Sequence, residues 1–93
     1  MIKSFNSKET EKIWVGTRSI KLPYEIQDIS RRKLRMLNNS ISFKDLSLPP
    51  SNRLEKLQGN LKEFHSIRIN DQWRIIFKWE NGHAHNVDII DYH

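Results

Sequence analysis

Apolar residues recur along this chain with two different periods. Between Leu22 and Asn39 the spacing is helical: Leu22, Ile26, Ile29, Met36 and Leu37 share one arc, and Arg31, Arg32 and Arg35 take the far side. Lys33 falls inside the apolar arc, where its stem can lie along the core while the ammonium reaches water. Pro23 suits the start of this helix because its missing N–H would have no intrahelical partner there, and Asn38-Asn39-Ser40 ends it. From Trp73 to Trp79 the period is two. Trp73, Ile75, Phe77 and Trp79 share one face, while Arg74, Ile76 and Lys78 share the other. Phe64 to Ile69 alternates in the same way, with Ile67 and Ile69 opposed to Ser66 and Arg68.

The remaining elements follow from local signals. Ile2 to Phe5 reads as a short strand, and Ser7 as the cap of a first helix with Glu9 and Glu11 in its first turns, Ile13 and Trp14 on its apolar side and Gly16 at its end. Residues 40–62 read as a connector, broken by Pro49-Pro50-Ser51 and Gly59-Asn60. So long a connector in a small chain points to function or to a surface belt packed by Phe43, Leu46, Leu48, Leu54 and Leu57. Asn81-Gly82 is a type I′ hairpin signal, with Ala84 to Tyr92 as the returning strand. That turn would pair Trp79 with Ala84 and Arg74 with Ile89, placing His85, Val87, Ile89, Asp91 and His93 on the face of Arg74 and Lys78, where the apolar bulk of Val87 and Ile89 calls for a bulge in the last strand or partial cover by the long connector. Keeping Ile67 and Ile69 in the core requires an odd number of loop residues around Asn70-Asp71-Gln72, and then Arg68 and Asn70 join Arg74. The expected architecture is α+β: one domain over residues 1–93, a small antiparallel sheet with two N-terminal helices packed on one face.

Composition narrows the partners. Sixteen Lys and Arg against eleven Asp and Glu give a net charge of +5, which favours a polyanion. There are no cysteines, so neither a disulfide nor a thiolate metal site is available. No run of apolar residues reaches signal-peptide or membrane-spanning length, so a soluble protein of the bacterial cytoplasm is expected, with no membrane partner. His83, His85 and His93 are joined by no acidic cluster, so no metal or cofactor is expected.

Arg68, Asn70, Arg74, Asp91, Tyr92 and His93 form the candidate site. An RNA phosphodiester can be cut without metal when its neighbouring 2′-OH attacks phosphorus in line. That needs a base, an acid for the leaving 5′-oxygen, and positive charge around the transition state. Histidine titrates near neutrality, and arginine offers a planar two-pronged donor to phosphate. Taken alone, Arg74 also reads as a solvated strand charge and His93 as a frayed terminus. The alternation of Trp73, Phe77 and Trp79 argues for core positions rather than a base-stacking surface.

The segment His65-Ser66-Ile67-Arg68-Ile69-Asn70-Asp71-Gln72-Trp73-Arg74-Ile75-Ile76-Phe77 resembles the central hairpin of the HigB branch of RelE-like toxins. The ending Val87-Asp88-Ile89-Ile90-Asp91-Tyr92-His93 resembles that family's Asp-Tyr-His C-terminus, and Met1-Ile2-Lys3-Ser4-Phe5 and Asn52-Arg53-Leu54-Glu55-Lys56-Leu57 match in order. The resemblance implies a RelE-like fold and a ribosome-dependent endoribonuclease that cleaves mRNA in the A site and inhibits translation. It also implies a HigA-type helix-turn-helix antitoxin, with operator DNA reached only through the complex. On this resemblance Arg74, His93, Tyr92 and Asp91 are the catalytic candidates, and Arg68, Asn70, Lys56, Arg53 and Lys78 the RNA-binding ones. Three positions depart from the pattern. Glu55 and Gln58 stand where some HigB toxins carry histidine and lysine, and Asn70 stands at a second arginine, with Arg68 two residues earlier. The identity of the general base is therefore open at this stage. The alternative reading is a non-catalytic RNA- or ribosome-binding module of the same fold.

Overall fold

The computed structural model describes residues 1–92, and His93 lies outside the described residues. Two helices, α1 (Lys8–Val15) and α2 (Tyr24–Asn39), precede a four-stranded antiparallel sheet of order β1-β2-β3-β4. The strands are β1 (Glu55–Lys56), β2 (His65–Arg68), β3 (Trp73–Glu80) and β4 (His83–Asp91).

The helix signals act as expected. Ser7 Oγ accepts from the Thr10 N–H at 3.2 Å, an N-cap of a kind worth about 1 kcal/mol. Gly16 adopts φ 90°, the left-handed conformation that closes α1. In α2 the buried face comprises Ile26, Gln27, Ser30, Leu34 and Leu37, so two polar residues join the apolar stripe. Gln27 is there to hold the loop between the helices: its Oε1 accepts from the Ser19 N–H, and its Nε2 donates to the Ser19 and Leu22 carbonyls. Lys33 does not simply reach water. Its Nζ donates to Oδ1 of the fully buried Asn52.

One face of the sheet meets the helices. Ile67, Ile75, Phe77, Ala84, Val87 and Ile89 pack with Ile13, Ile26, Leu34 and Leu37 into a single core, with Trp73 and Trp79 half-buried against it. The β2–β3 register pairs Ile67 with Ile75 and Arg68 with Arg74, so the two arginines share the other face. Asn70 builds the turn between these strands, its Oδ1 accepting from the backbone N–H groups of Gln72 and Trp73.

The β3–β4 pairing departs from simple alternation. The Asn81-Gly82 turn has positive φ at both residues and pairs Trp79 with Ala84 as the hairpin signal predicts. A bulge then intervenes between Ile76 and Lys78, with Asn86 on the facing strand at φ 54°. Beyond it Arg74 pairs with Ile90, not Ile89, and Trp73 pairs with Asp91. The one-residue shift turns Val87 and Ile89 into the core and takes Asp91 off the face of Arg74, correcting the expected placement of all three. The N-terminal segment helps to set the bulge: Ile2 and Phe5 form parallel bridges to Ala84 and Val87, and Ser4 Oγ accepts the Asn86 N–H at 2.9 Å.

The connector is more ordered than its sequence suggests. It contains 3-10 turns at Phe43–Ser47, Pro50–Asn52 and Gly59–Leu61, and it contributes β1 to the sheet edge. Asn52 organises it by donating Nδ2 to the Leu46 and Leu48 carbonyls.

Candidate active site

Arg74 lies at the centre of the face turned away from the helices. It is 8% exposed, an unusual burial for an arginine, and every described partner comes from a different segment. Its Nη1 donates to Ser66 Oγ on β2 at 2.7 Å and to the Arg53 carbonyl at 3.1 Å. Its Nη2 forms an ion pair with Glu55 Oε1 on β1 at 3.1 Å. The Tyr92 ring faces the guanidinium, with Cζ 5.1 Å from the ring centroid. Anchoring Nη1 fixes the plane of the guanidinium, so the Nη2 edge is the part an incoming anion can engage.

A cavity of about 260 Å³ opens beside it, lined by Arg53, Arg68, Asn70, Asp71, Arg74 and Tyr92. Asp71 restrains Arg68 through an ion pair across the turn, and the Arg68 hydrogen bond holds the Asp71 carboxyl below the usual carboxylate range. A second cavity of about 330 Å³, lined by Glu55, Lys56, Leu57, Gln58, Leu61 and Tyr92, shares Tyr92 with the first as a wall. The Tyr92 N–H donates to the Gln72 carbonyl at 2.6 Å, so backbone pairing with the turn residue persists one position past β4.

The structure therefore brings together Arg53, Arg68, Asn70, Arg74 and Tyr92 around one cavity, with Lys56 on its neighbour. Asn70 enters with its side-chain carbonyl already committed to the turn. Lys78 lies farther along β3, paired with Glu63 at 3.5 Å and placed over the Phe64 ring, and it lines neither cavity. Asp91 sits on the opposite side of the strand from Arg74 and accepts from Gln72 Nε2 at 3.0 Å. His93 lies outside the described residues. Among the described residues no group of three or more His, Cys, Asp or Glu is arranged to hold a metal ion.

Two contributors stand outside the catalytic and RNA-binding candidates, Ser66 and Glu55, the latter noted in the sequence only as a departure from the family pattern. Ser66 is legible through alternation, since it shares a strand face with Arg68. Glu55 stands on a strand of two residues, too short to show any period.

Comparison with known proteins gives a consistent picture. A family model described as RelE-like toxin of type II toxin-antitoxin system HigB matches residues 3–93. Toxin HigB-1 of Vibrio cholerae is 40% identical over 87 residues, 92% of each chain. Endoribonuclease HigB of Proteus vulgaris is 27% identical over 93 residues, covering both chains completely. Among solved structures, YafQ from E. coli superposes with a TM-score of 0.61 at 14% identity, covering 98% of this chain and 93% of that one. The YoeB chain of a heterotetrameric YoeB-YefM toxin-antitoxin complex from Staphylococcus aureus gives 0.59 at 16%, covering 100% of this chain and 98% of that one. These two likenesses establish the fold.

Proposed function

The chain belongs to the HigB-like family of RelE-like toxins of type II toxin–antitoxin systems, and from that premise we propose that it is a ribosome-dependent, metal-independent endoribonuclease cutting mRNA in the A site. Its partner in such a system is an antitoxin, here proposed to be of the HigA helix-turn-helix type, with operator DNA reached only through the complex. Its place of action is the bacterial cytoplasm, where ribosomes and mRNA are. The RelE-like fold and a relative named Endoribonuclease HigB support this reading.

The observation that carries it is the pinned Arg74 guanidinium, set between the Glu55 carboxylate and a cavity walled by Arg53 and Arg68. In the proposed reaction the scissile phosphate engages Arg74 while the 2′-oxygen forms a bond to phosphorus. The P–O5′ bond breaks, leaving a cyclic phosphate and a 5′-hydroxyl. Glu55 takes the 2′ proton, His93 delivers one to the 5′-oxygen, and Arg74 stabilises the charge gained on phosphorus oxygens. Tyr92 holds the guanidinium face. Arg68, Arg53 and Lys56 steer the flanking phosphates, and Asn70 acts through the turn it builds. Lys78 and Asp91, placed away from the cavities, take outlying roles as an RNA contact and a support for the last strand.

The test is cleavage of mRNA on programmed ribosomes, with growth inhibition on induction alongside. Arg74→Ala and deletion of His93 should each slow cutting by about 10²–10³-fold in folded protein. A folded Arg74→Ala that cuts at the parental rate overturns the site. A folded parent that binds ribosomes without cutting would establish the non-catalytic module.

A further inference from the structure

Arg53 holds a backbone conformation that its residue type seldom adopts. Its φ of 45° and ψ of 54° are left-handed. The other described non-glycine residues with positive φ, Asn81 and Asn86, are asparagines, which tolerate that region far better than arginine. Arg53 closes the 3-10 turn Pro50–Asn52, and its N–H donates to the Pro50 carbonyl at 3.0 Å. Glycine would end such a turn with less strain, so the arginine serves some other end. Its side chain is exposed and lines the cavity shared with Arg68 and Arg74. Its carbonyl accepts from Arg74 Nη1 at 3.1 Å.

That carbonyl completes the anchor of Arg74. Nη1 bears two hydrogens, and its two acceptors are Ser66 Oγ at 2.7 Å on β2 and the Arg53 oxygen on the connector. With Ser66 alone the guanidinium could pivot about one bond, and the second acceptor, from a different segment, fixes its plane. The connector is held in turn by the buried Asn52, which donates to the Leu46 and Leu48 carbonyls and accepts from Lys33 Nζ on α2. Backbone strain persists only where the surroundings over-determine it, and it gathers at functional sites. We propose that Arg53 serves the cleavage site through two separable parts: its main-chain carbonyl, aimed by the left-handed backbone, is a positioning acceptor that sets the Arg74 guanidinium for the transition state, and its side chain binds RNA. The proposal rests on the nuclease reading above. The side chain governs how tightly RNA is held, and the backbone governs how fast the held RNA is cut.

The test compares substitutions that share the lost charge and differ in backbone tolerance. Arg53→Gly, Arg53→Asn and Arg53→Val are assayed by single-turnover cleavage over a range of programmed-ribosome concentrations, with thermal melts alongside. All three should need a similarly raised concentration for half-saturation. At saturation Arg53→Val should cut at least about 10-fold more slowly than Arg53→Gly, because a β-branched residue resists the left-handed region and a displaced Arg74 loses its transition-state contact. Arg53→Asn should recover most of that rate. Equal saturating rates in the three folded variants overturn the positioning role. A further variant keeps every side chain and decides the matter should Arg53→Val fail to fold. It is the 93-residue chain made by chemical synthesis with the Arg53–Leu54 amide exchanged for an ester, whose carbonyl is a weaker acceptor. Its saturating rate should fall several-fold with half-saturation unmoved, and rotation of the Arg74 Nη groups in NMR spectra should quicken. A parental rate, or parental rotation, in the ester overturns the proposal. Failure of the nuclease reading would appear instead as a parent that does not cut, and the Nη rotation then still decides whether the carbonyl holds Arg74.

Discussion

The Glu55 carboxylate lies 3.1 Å from Nη2 of Arg74, joining the shortest strand of the sheet to its centre. An anion engaging Arg74 meets this carboxylate at once. Glu55 is thus the charge partner of Arg74, and in the proposed mechanism it is also the group that takes the 2′ proton.

Glu55→Gln separates these roles. The amide keeps the shape but cannot act as a base near neutrality. Cleavage should fall by about 10²–10⁴-fold if Glu55 takes the 2′ proton. Stability should fall by about 1–3 kcal/mol, since the Glu55 side chain is 46% exposed but the Arg74 side chain, at 10%, keeps its charge without this carboxylate. Single-turnover cleavage with thermal melts decides it. An unchanged rate would reduce Glu55 to a charge partner.

Arg53 and Lys56 sit on the connector, one on each of the two cavities that share Tyr92. Replacing both with Gln should weaken RNA or ribosome binding and flatten its salt dependence. For two lost single-strand phosphate contacts the slope of log K against log salt should fall by about 1.4. A slope equal to the parent's would make both residues ordinary surface charges.

Asn52 is fully buried and, besides a 3.5 Å hydrogen bond from Nδ2 to the Met36 sulfur, serves three stronger partners: the Leu46 and Leu48 carbonyls and the Lys33 ammonium. Asn52→Leu would strand all three. The expected cost is about 3 kcal/mol, lowering the melting temperature by more than about 10 °C. Because Asn52 immediately precedes Arg53, whose carbonyl receives Arg74 Nη1, catalysis should fall as well. A variant that melts with the parent would show that the belt stands without this amide.

His65 packs edge-on against Phe43 with ring centroids 4.6 Å apart, and its Nδ1 has no hydrogen-bond partner. Burial, aided by the positive charge of Lys56, holds its pKa below the ordinary histidine value. His83 is lowered in the same direction by desolvation and then by Lys3, the N-terminus and His85. The unfolded chain therefore binds protons first as pH drops. Stability is fully present above the unfolded value of about 6.5, falls as pH descends below it, and levels off below the folded value. Melting temperatures from pH 7.5 to 5 should decline, and His65→Phe should flatten part of the decline. Parallel curves for parent and variant would remove His65 from the effect.

The sequence by itself determined the helices, their caps, the hairpin turn, and the pairing of Arg68 with Arg74 on one face. Each depends on a local rule: a helical or two-residue period, a side-chain oxygen beside an orphan N–H, or a turn with positive φ at both centres. Only the tertiary structure decided where β4 slips its register, because the Asn86 bulge involves the N-terminal segment through Ser4, remote in sequence. That slip parts Asp91 from Arg74 while sending Val87 and Ile89 into the core, a choice between faces that burial enforces and alternation alone cannot express. Glu55 and Asn52 belong to the same category. One stands on a strand too short to carry a period, and the other is a polar residue buried because backbone carbonyls and a lysine converge on it. A site assembled from β1, β2, β3 and the chain end is fixed by what those segments bury together, and no local stretch of sequence contains that information.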